Sequence, residues 1–61
     1  MEMKYYLFTC VTEDEYEGEQ FIVEAENFDD ARIIALGEFG DVEYNDILTE
    51  DEVDACGLDV F

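Results

Sequence analysis

Hydrophobic and polar residues alternate along the first half of the chain as in two β-strands joined by an acidic turn. Residues 4–12 are aromatic and β-branched and contain no breaker, which predicts a strand. Both of its faces are apolar, a pattern typical of a central strand that is covered on two sides. Residues 20–26 alternate more cleanly and predict a half-buried strand, with Ile22 on its outer face. The inward residues of this second strand are Phe21, Val23 and Ala25.

A helix is predicted next, over residues 28–39. Asn27 is placed to cap it, and acidic residues follow in the first turn, where carboxylates complement the positive end of the helix dipole. The apolar stripe of this helix consists of Phe28, Ala31, Ala35 and Phe39. Because alanine is small, the stripe favours a close approach of the helix to a sheet. Gly40 is a suitable stop.

The last third of the chain predicts one more strand and a short helix. Residues 41–48 form the strand, with Val42 and Tyr44 on one face. Thr49 and Glu52 match the S/T-x-x-E capping box, which predicts a helix of two turns that ends at Gly57. The apolar residues 58–61 are either a tail or a short final strand.

These elements predict a single small α+β domain over residues 1–61, of β-β-α-β type with a short C-terminal helix. A right-handed crossover places strand 3 beside strand 1, which gives the sheet order 2-1-3. The main helix covers one face of the sheet, and the C-terminal piece or a second subunit covers the other. The predicted core consists of Phe21, Val23, Phe28, Ala31, Ala35, Phe39 and Val42.

The charge of the chain restricts the classes of partner. There are 19 acidic residues against Lys4 and Arg32, for a formal net charge of -17, yet 49% of the residues are hydrophobic, enough to form a core. Direct binding of nucleic acid is nearly excluded, since it depends on Lys and Arg, and binding to anionic lipid is disfavoured. The sequence contains neither an 18-residue apolar run nor a signal-peptide pattern. We therefore expect a cytoplasmic protein, in the producing cell or in a host cell.

Catalysis and cofactor binding are not expected. The chain lacks histidine, the commonest general base, and it also lacks serine. A register that starts at Glu13 puts Gly18 and Glu24 at the glycine and final-glutamate positions of an EF-hand loop, but predicted strands flank it where an EF-hand has helices. A calcium-binding module is therefore the third hypothesis. Cys10 and Cys56 match no metal or redox spacing, and we expect two small buried residues, with a disulfide as the alternative.

The size of the charge favours a functional anionic surface. A domain of this length is about 27 Å across, and a DNA duplex of that length carries about 16 phosphates. A net charge of about 2–8 suffices for the solubility of a small domain, so most of the charge is left for another use. Tyr16, inside the acidic turn, is a candidate anchor for a partner. The predicted partner-binding residues are Glu13, Asp14, Glu15, Tyr16, Glu17, Glu19, Glu24, Glu26, Asp29 and Asp30.

The segments YYLFTCV (5–11), EDEYEGE (13–19) and FIVEAENFDDARIIAL (21–36) carry a resemblance to known proteins. An acidic β-β-α-β chain with an acidic turn between its first strands resembles phage-encoded inhibitors of host defence, the anti-CRISPR and other DNA-mimic proteins. The resemblance implies that the carboxylates occupy a basic nucleic-acid groove on a host protein, such as a CRISPR effector or a nuclease. The alternative is a homo-oligomeric structural or accessory protein, such as a homodimer, whose acidity is incidental.

Overall fold

The computed structural model describes residues 3–11 and 18–61, and its sheet has the predicted topology. The strands lie in the order β2-β1-β3, and both neighbouring pairs are antiparallel. The predicted α+β fold, its central first strand and its two helices are thereby confirmed. The elements are β1 (Lys4–Cys10), β2 (Gln20–Ala25), α1 (Phe28–Phe39), β3 (Val42–Leu48) and α2 (Glu50–Cys56).

Local capping chemistry explains where both helices begin. The Asn27 side chain accepts a hydrogen bond of 2.9 Å from the backbone N–H of Asp30 at the start of α1. At α2, the Thr49 hydroxyl accepts from the Glu52 backbone N–H at 3.2 Å, and the Glu52 carboxylate accepts from the Thr49 N–H at 3.1 Å. This reciprocal pair is the predicted capping box. Gly57 ends α2 with a φ of 69°, in the left-handed region that glycine adopts without strain.

The core lies between α1 and one face of the sheet, which we call the inner face. Ala31 and Ala35 are fully buried, so the helix packs closely against β1 and β2, as predicted. Phe39 and Val42 pack against this core and are partly buried. The buried residues of the cluster are Tyr6, Phe8, Cys10, Phe21, Val23, Ala25, Ala31 and Ala35.

Phe28 departs from the predicted core, because it is 39% exposed. Its ring contacts Tyr44 of β3 edge-on at a centroid distance of 4.9 Å, and Tyr6 of β1 at 5.9 Å. Phe28 therefore lies on the β3 side of α1. Ala31 and Ala35 are the helix residues that pack fully into the core, whereas Phe28 lies at the first position of the helix, beside them.

The prediction that Ile22 lies outside is wrong, because its side chain is fully buried. Residues 59–61 run parallel to β2 along its free edge. The Ile22 N–H donates to the Asp59 carbonyl at 2.9 Å, and the Ile22 carbonyl accepts from the Phe61 N–H at 2.8 Å. Because β3 forms the opposite edge, the chain crosses the sheet through α2 to reach β2. The strand alternation alone does not show this edge pairing, and it left Ile22 exposed.

The two cysteines differ in their surroundings. Cys10 is buried in the core, with its Sγ 3.9 Å from the carbonyl oxygen of Phe39. Cys56 is exposed in the last turn of α2, where its Sγ lies 3.2 Å from the Val53 carbonyl oxygen. The prediction of a buried Cys56 is therefore wrong, because α2 lies on the surface and has no buried residue. The two thiols are not joined in a disulfide.

Candidate partner-binding surface

The structure describes the residues on either side of the acidic turn that was predicted as the centre of the site. The turn residues Glu13, Asp14, Glu15, Tyr16 and Glu17 lie outside the described residues. On either side of them, the Gly18 N–H donates to the Cys10 carbonyl at 2.9 Å, and the Cys10 N–H donates to the Glu19 carbonyl at 2.8 Å. β1 therefore ends and β2 begins at the same end of the sheet. Strands flank the turn, as expected for a hairpin and not for an EF-hand.

Glu19 lines an open groove at this end of the sheet. The groove, which we call the aromatic groove, lies between the start of β2, the end of α1 and residues 59–61, and its volume is about 710 Å³. These three segments are far apart in the sequence, so only the folded chain brings them together. The lining residues are Glu19, Gln20, Phe21, Glu38, Phe39, Asp59 and Phe61.

Three phenylalanine rings form the apolar part of the aromatic groove. Phe21 and Phe39 are stacked, with ring centroids 4.1 Å apart and an interplanar angle of 27°. Phe61 contacts both rings edge-on, at 5.8 Å from Phe21 and 5.2 Å from Phe39. Phe21 is buried and forms the floor, whereas Phe61 is 42% exposed.

The electrostatics of the aromatic groove favour a cation. Its carboxylates, on Glu19, Glu38 and Asp59, come from three different segments. Helix α1 ends at Phe39, so the negative end of its dipole lies at the groove, and its last turn contains no basic residue. None of the described residues that line the groove is Lys or Arg.

The remaining predicted residues lie at the opposite end of β2, about 17 Å away at roughly 3.3 Å per residue. Glu24, Glu26 and Asp30 line a second groove there, together with Met3, Ala25, Ile33 and Ile34. Asp29 is exposed in the first turn of α1. The predicted site is therefore divided: Glu19 belongs to one end of the sheet, and Glu24, Glu26, Asp29 and Asp30 belong to the other.

Glu24 also has a specific partner on the outer face. Tyr5 is its neighbour across the β1–β2 pair, and the Tyr5 hydroxyl donates a hydrogen bond to the Glu24 carboxylate. This bond raises the pKa of Tyr5 above 10.0, and the negative charge of Glu24, desolvation and the charges of Glu50 and Asp54 act in the same direction. The influence of the last two residues places carboxylates of α2 near the outer face.

Two members of the aromatic groove, Glu38 and Asp59, were missed by the sequence reasoning. Glu38 directly precedes Phe39 in the sequence, and Asp59 lies two positions before Phe61. Both phenylalanines line the groove. The apolar residues 58–61 indicated a short strand, but nothing in the pattern indicated which strand would pair with it. The acidity of the chain also hid these positions, since an acidic residue at any position is unremarkable here.

The described acidic residues all lie at the surface. Among residues 3–11 and 18–61, no charged side chain is buried, and the buried set consists of aromatic and aliphatic residues and Cys10. Lys4 and Arg32 are exposed as well. Within the same residues, no three Asp, Glu or Cys side chains come together in a way that could hold a metal ion. The surface is therefore anionic without a defined metal centre in the described chain.

Comparison with protein-family models, with curated proteins and with solved structures gives no match for this chain. Neither of the helices in the described part has the length and apolar character needed to cross a membrane.

Proposed function

We propose that this protein is an acidic protein-binding module that inhibits a nucleic-acid-handling host protein, such as a CRISPR effector or a nuclease. It does so by occupying the basic groove of that protein in place of nucleic acid. The observation that carries the proposal is a net charge of -17 on a chain whose described carboxylates all lie at the surface. Since the chain lacks histidine and serine, we propose binding and not catalysis as its role.

The dimensions of the fold support this comparison with a duplex. Its longest extent is 34 Å. B-DNA carries one phosphate charge per ~1.7 Å of axis, so a duplex of that length holds about 20 charges. The charge of the protein is close to this number. Acidic residues at both ends of β2 also spread the charge along the molecule instead of concentrating it in one turn.

The mechanism we propose is electrostatic. A dense anionic surface steers the protein toward a basic groove and raises the association rate. On contact, carboxylates form charge-assisted hydrogen bonds with the Arg and Lys side chains that otherwise hold phosphates. The same charge repels itself within the fold and lowers stability, a cost that solubility alone does not require.

The proposal is tested by competition with nucleic acid. The immobilised protein is exposed to a host lysate at low and at high salt, and a basic partner retained only at low salt is purified. Duplex DNA or RNA is then titrated into the purified complex. We expect displacement by excess nucleic acid. A complex that survives excess DNA and RNA at the salt concentration of its formation would contradict the proposal.

A charge-neutralised variant and a matched control test which carboxylates contribute to partner binding. In the first variant, the acidic turn is neutralised at Glu13, Asp14, Glu15, Glu17 and Glu19 by Gln or Asn. In the control, the same number of charges is removed at Glu43, Asp46, Glu50, Asp51 and Asp54. We expect slower association and a weaker salt dependence for the first variant, since charges at the rim of an interface act mainly on the association rate. Equal effects of both sets would mean that the turn has no special role.

A homo-oligomer remains the second candidate function, favoured by one apolar surface. Phe28, Tyr44 and Ile47 are all exposed by about two-fifths or more. The Phe28 ring contacts Tyr44 of β3, the strand that also contains Ile47. A second copy docked there would bury these side chains. Native mass spectrometry over a range of protein concentrations separates the two functions. A dimer that forms at micromolar concentration and does not bind basic proteins would favour the homo-oligomer.

A further inference from the structure

We propose that the aromatic groove binds one arginine side chain of a basic partner. The inference rests on the proposed function, and it names a defined pocket where that function otherwise invokes only a charged surface. The groove combines two independent features, three phenylalanine rings and three carboxylates, in a space of about 710 Å³.

The three phenylalanine rings favour an organic cation over a metal ion as the ligand of the groove. Aromatic faces attract guanidinium and ammonium groups, and the planar guanidinium also stacks on a ring. Phe61 lines the groove and is 42% exposed, and Phe39 is partly buried beside it. A metal ion would need several oxygen ligands at close range, and the described residues form no such cluster. An apolar ligand would leave the surrounding carboxylates without a partner.

The carboxylates determine the charge and the geometry of the occupant. Glu19, Glu38 and Asp59 surround the rings from three segments, and the C-terminal end of α1 adds its negative dipole. A guanidinium presents five N–H donors in a planar fork, which suits acceptors placed on several sides. An ammonium group is a compact, strongly hydrated charge that does not stack in this way.

The charge of the chain also indicates where the arginine comes from. A second copy would bring only Lys4 and Arg32 together with 19 acidic residues, so two copies repel each other. A partner with a basic groove presents arginine side chains in quantity. The occupant is therefore a side chain of a basic protein.

The binding test uses a short probe, the peptide acetyl-Gly-Arg-Gly-amide, followed by NMR on the full chain. The control peptide contains citrulline, which has nearly the shape of arginine but no charge. We expect saturable shifts of the Phe39 and Phe61 ring signals with the arginine peptide, and ring-current shifts of its side-chain methylene protons. The citrulline peptide should leave these signals unchanged, and the corresponding lysine peptide should bind more weakly. Equal effects of the arginine and citrulline peptides, or equal affinity for the lysine peptide, would overturn the proposal.

Matched variants distinguish the groove from the general anionic surface. Glu38→Gln removes a charge at the groove, and Glu26→Gln removes the same charge from an exposed position at the other end of the sheet. We expect Glu38→Gln to weaken binding of the arginine peptide about two- to fivefold, the range for an exposed ion pair, and Glu26→Gln to change it little. Phe61→Leu, which keeps an apolar side chain but removes the ring, should weaken binding by a similar factor. Equal losses for Glu38→Gln and Glu26→Gln would overturn the proposal.

Failure of this inference can be separated from failure of the proposed function. If nucleic acid displaces the protein from its partner but Glu38→Gln and Glu26→Gln bind the peptide equally, only the arginine pocket is wrong. If the peptide binds at the groove but nucleic acid does not compete for the partner, the pocket stands and the mimicry of nucleic acid is wrong.

Discussion

Val60 pairs with Ile22 in a parallel bridge, so that residues 59–61 extend the sheet along the free edge of β2. The Glu24 N–H continues this ladder by donating to the Phe61 carbonyl at 2.9 Å. The pairing has two consequences. It satisfies the backbone N–H and C=O groups of Ile22 at the edge of β2, and it carries Asp59 and Phe61 to the end of α1, where the aromatic groove forms. The short C-terminal segment is therefore a part of both the fold and the candidate site.

Ile22→Ala tests the buried position that the alternation of β2 does not reveal. Since Ile22 is fully buried, the loss of its side chain should lower the free energy of unfolding by about 2–5 kcal/mol. Ile33→Ala is the matched control, because Ile33 is 68% exposed and should change that free energy by less than about 0.5 kcal/mol. Urea denaturation of both variants measures the difference. Similar midpoints for the two variants would contradict the burial of Ile22.

Ala35→Glu tests the close packing of α1 on the sheet. Ala35 is fully buried in the core, so a carboxylate there would be forced between helix and strands without a partner. We expect this variant to be unfolded at room temperature by circular dichroism. Ile33→Glu introduces the same charge on the exposed side of the same helix and should keep a cooperative thermal transition. A native transition for Ala35→Glu would mean that a different face of α1 is buried.

The hydrogen bond between Tyr5 and Glu24 predicts a pH effect. The pKa of Tyr5 is raised above 10.0 in the fold, so the folded state holds this proton more tightly than the unfolded state does. The stability contributed by Tyr5 is therefore fully present below pH 10 and is lost as the pH rises through its folded-state pKa. Titration by ¹³C NMR of the tyrosine Cζ atoms should show a midpoint above 10 for Tyr5. Glu24→Gln should lower that midpoint, and an unchanged midpoint would exclude Glu24 as the cause.

The cysteines should react at very different rates. Cys56 is exposed and Cys10 is fully buried, so a thiol reagent such as DTNB should label one thiol per folded chain quickly. The second thiol should react only after denaturant is added. Cys56→Ser should abolish the fast phase and leave the slow one. Rapid labelling of two thiols in the native protein would contradict the burial of Cys10.

Local chemistry made most of the fold predictable from the sequence. The side chains of Asn27 and Thr49 each accept a hydrogen bond from a backbone N–H in the first turn of their helix. Both capping sites were predicted correctly because donor and acceptor are only three positions apart in the sequence. Alternation predicted the inner face of β2, and the apolar faces of β1 predicted its central place. These properties depend on neighbours in the sequence or on one sheet face, so a single chain reveals them.

The candidate site was predictable only in its charge. Net charge is a sum over residues and needs no structure, whereas the aromatic groove depends on where three separate segments meet. The predicted partner-binding residues do not form one patch, because Glu19 and Glu24 lie toward opposite ends of β2 and line different grooves. The alternation of side chains along a strand indicates which face of the sheet a residue occupies, but not which groove that residue lines.

The sequence by itself determined the strands, the helices, their caps and an anionic surface, because each follows from composition or from short-range spacing. Only the tertiary structure decided that Ile22 is buried, that Phe28 is 39% exposed and that Glu38, Asp59 and Phe61 meet beside Phe21. The reason is physical. A sheet edge offers unpaired N–H and C=O groups to any extended segment that reaches it, so its partner depends on the path of the whole chain and not on a local pattern.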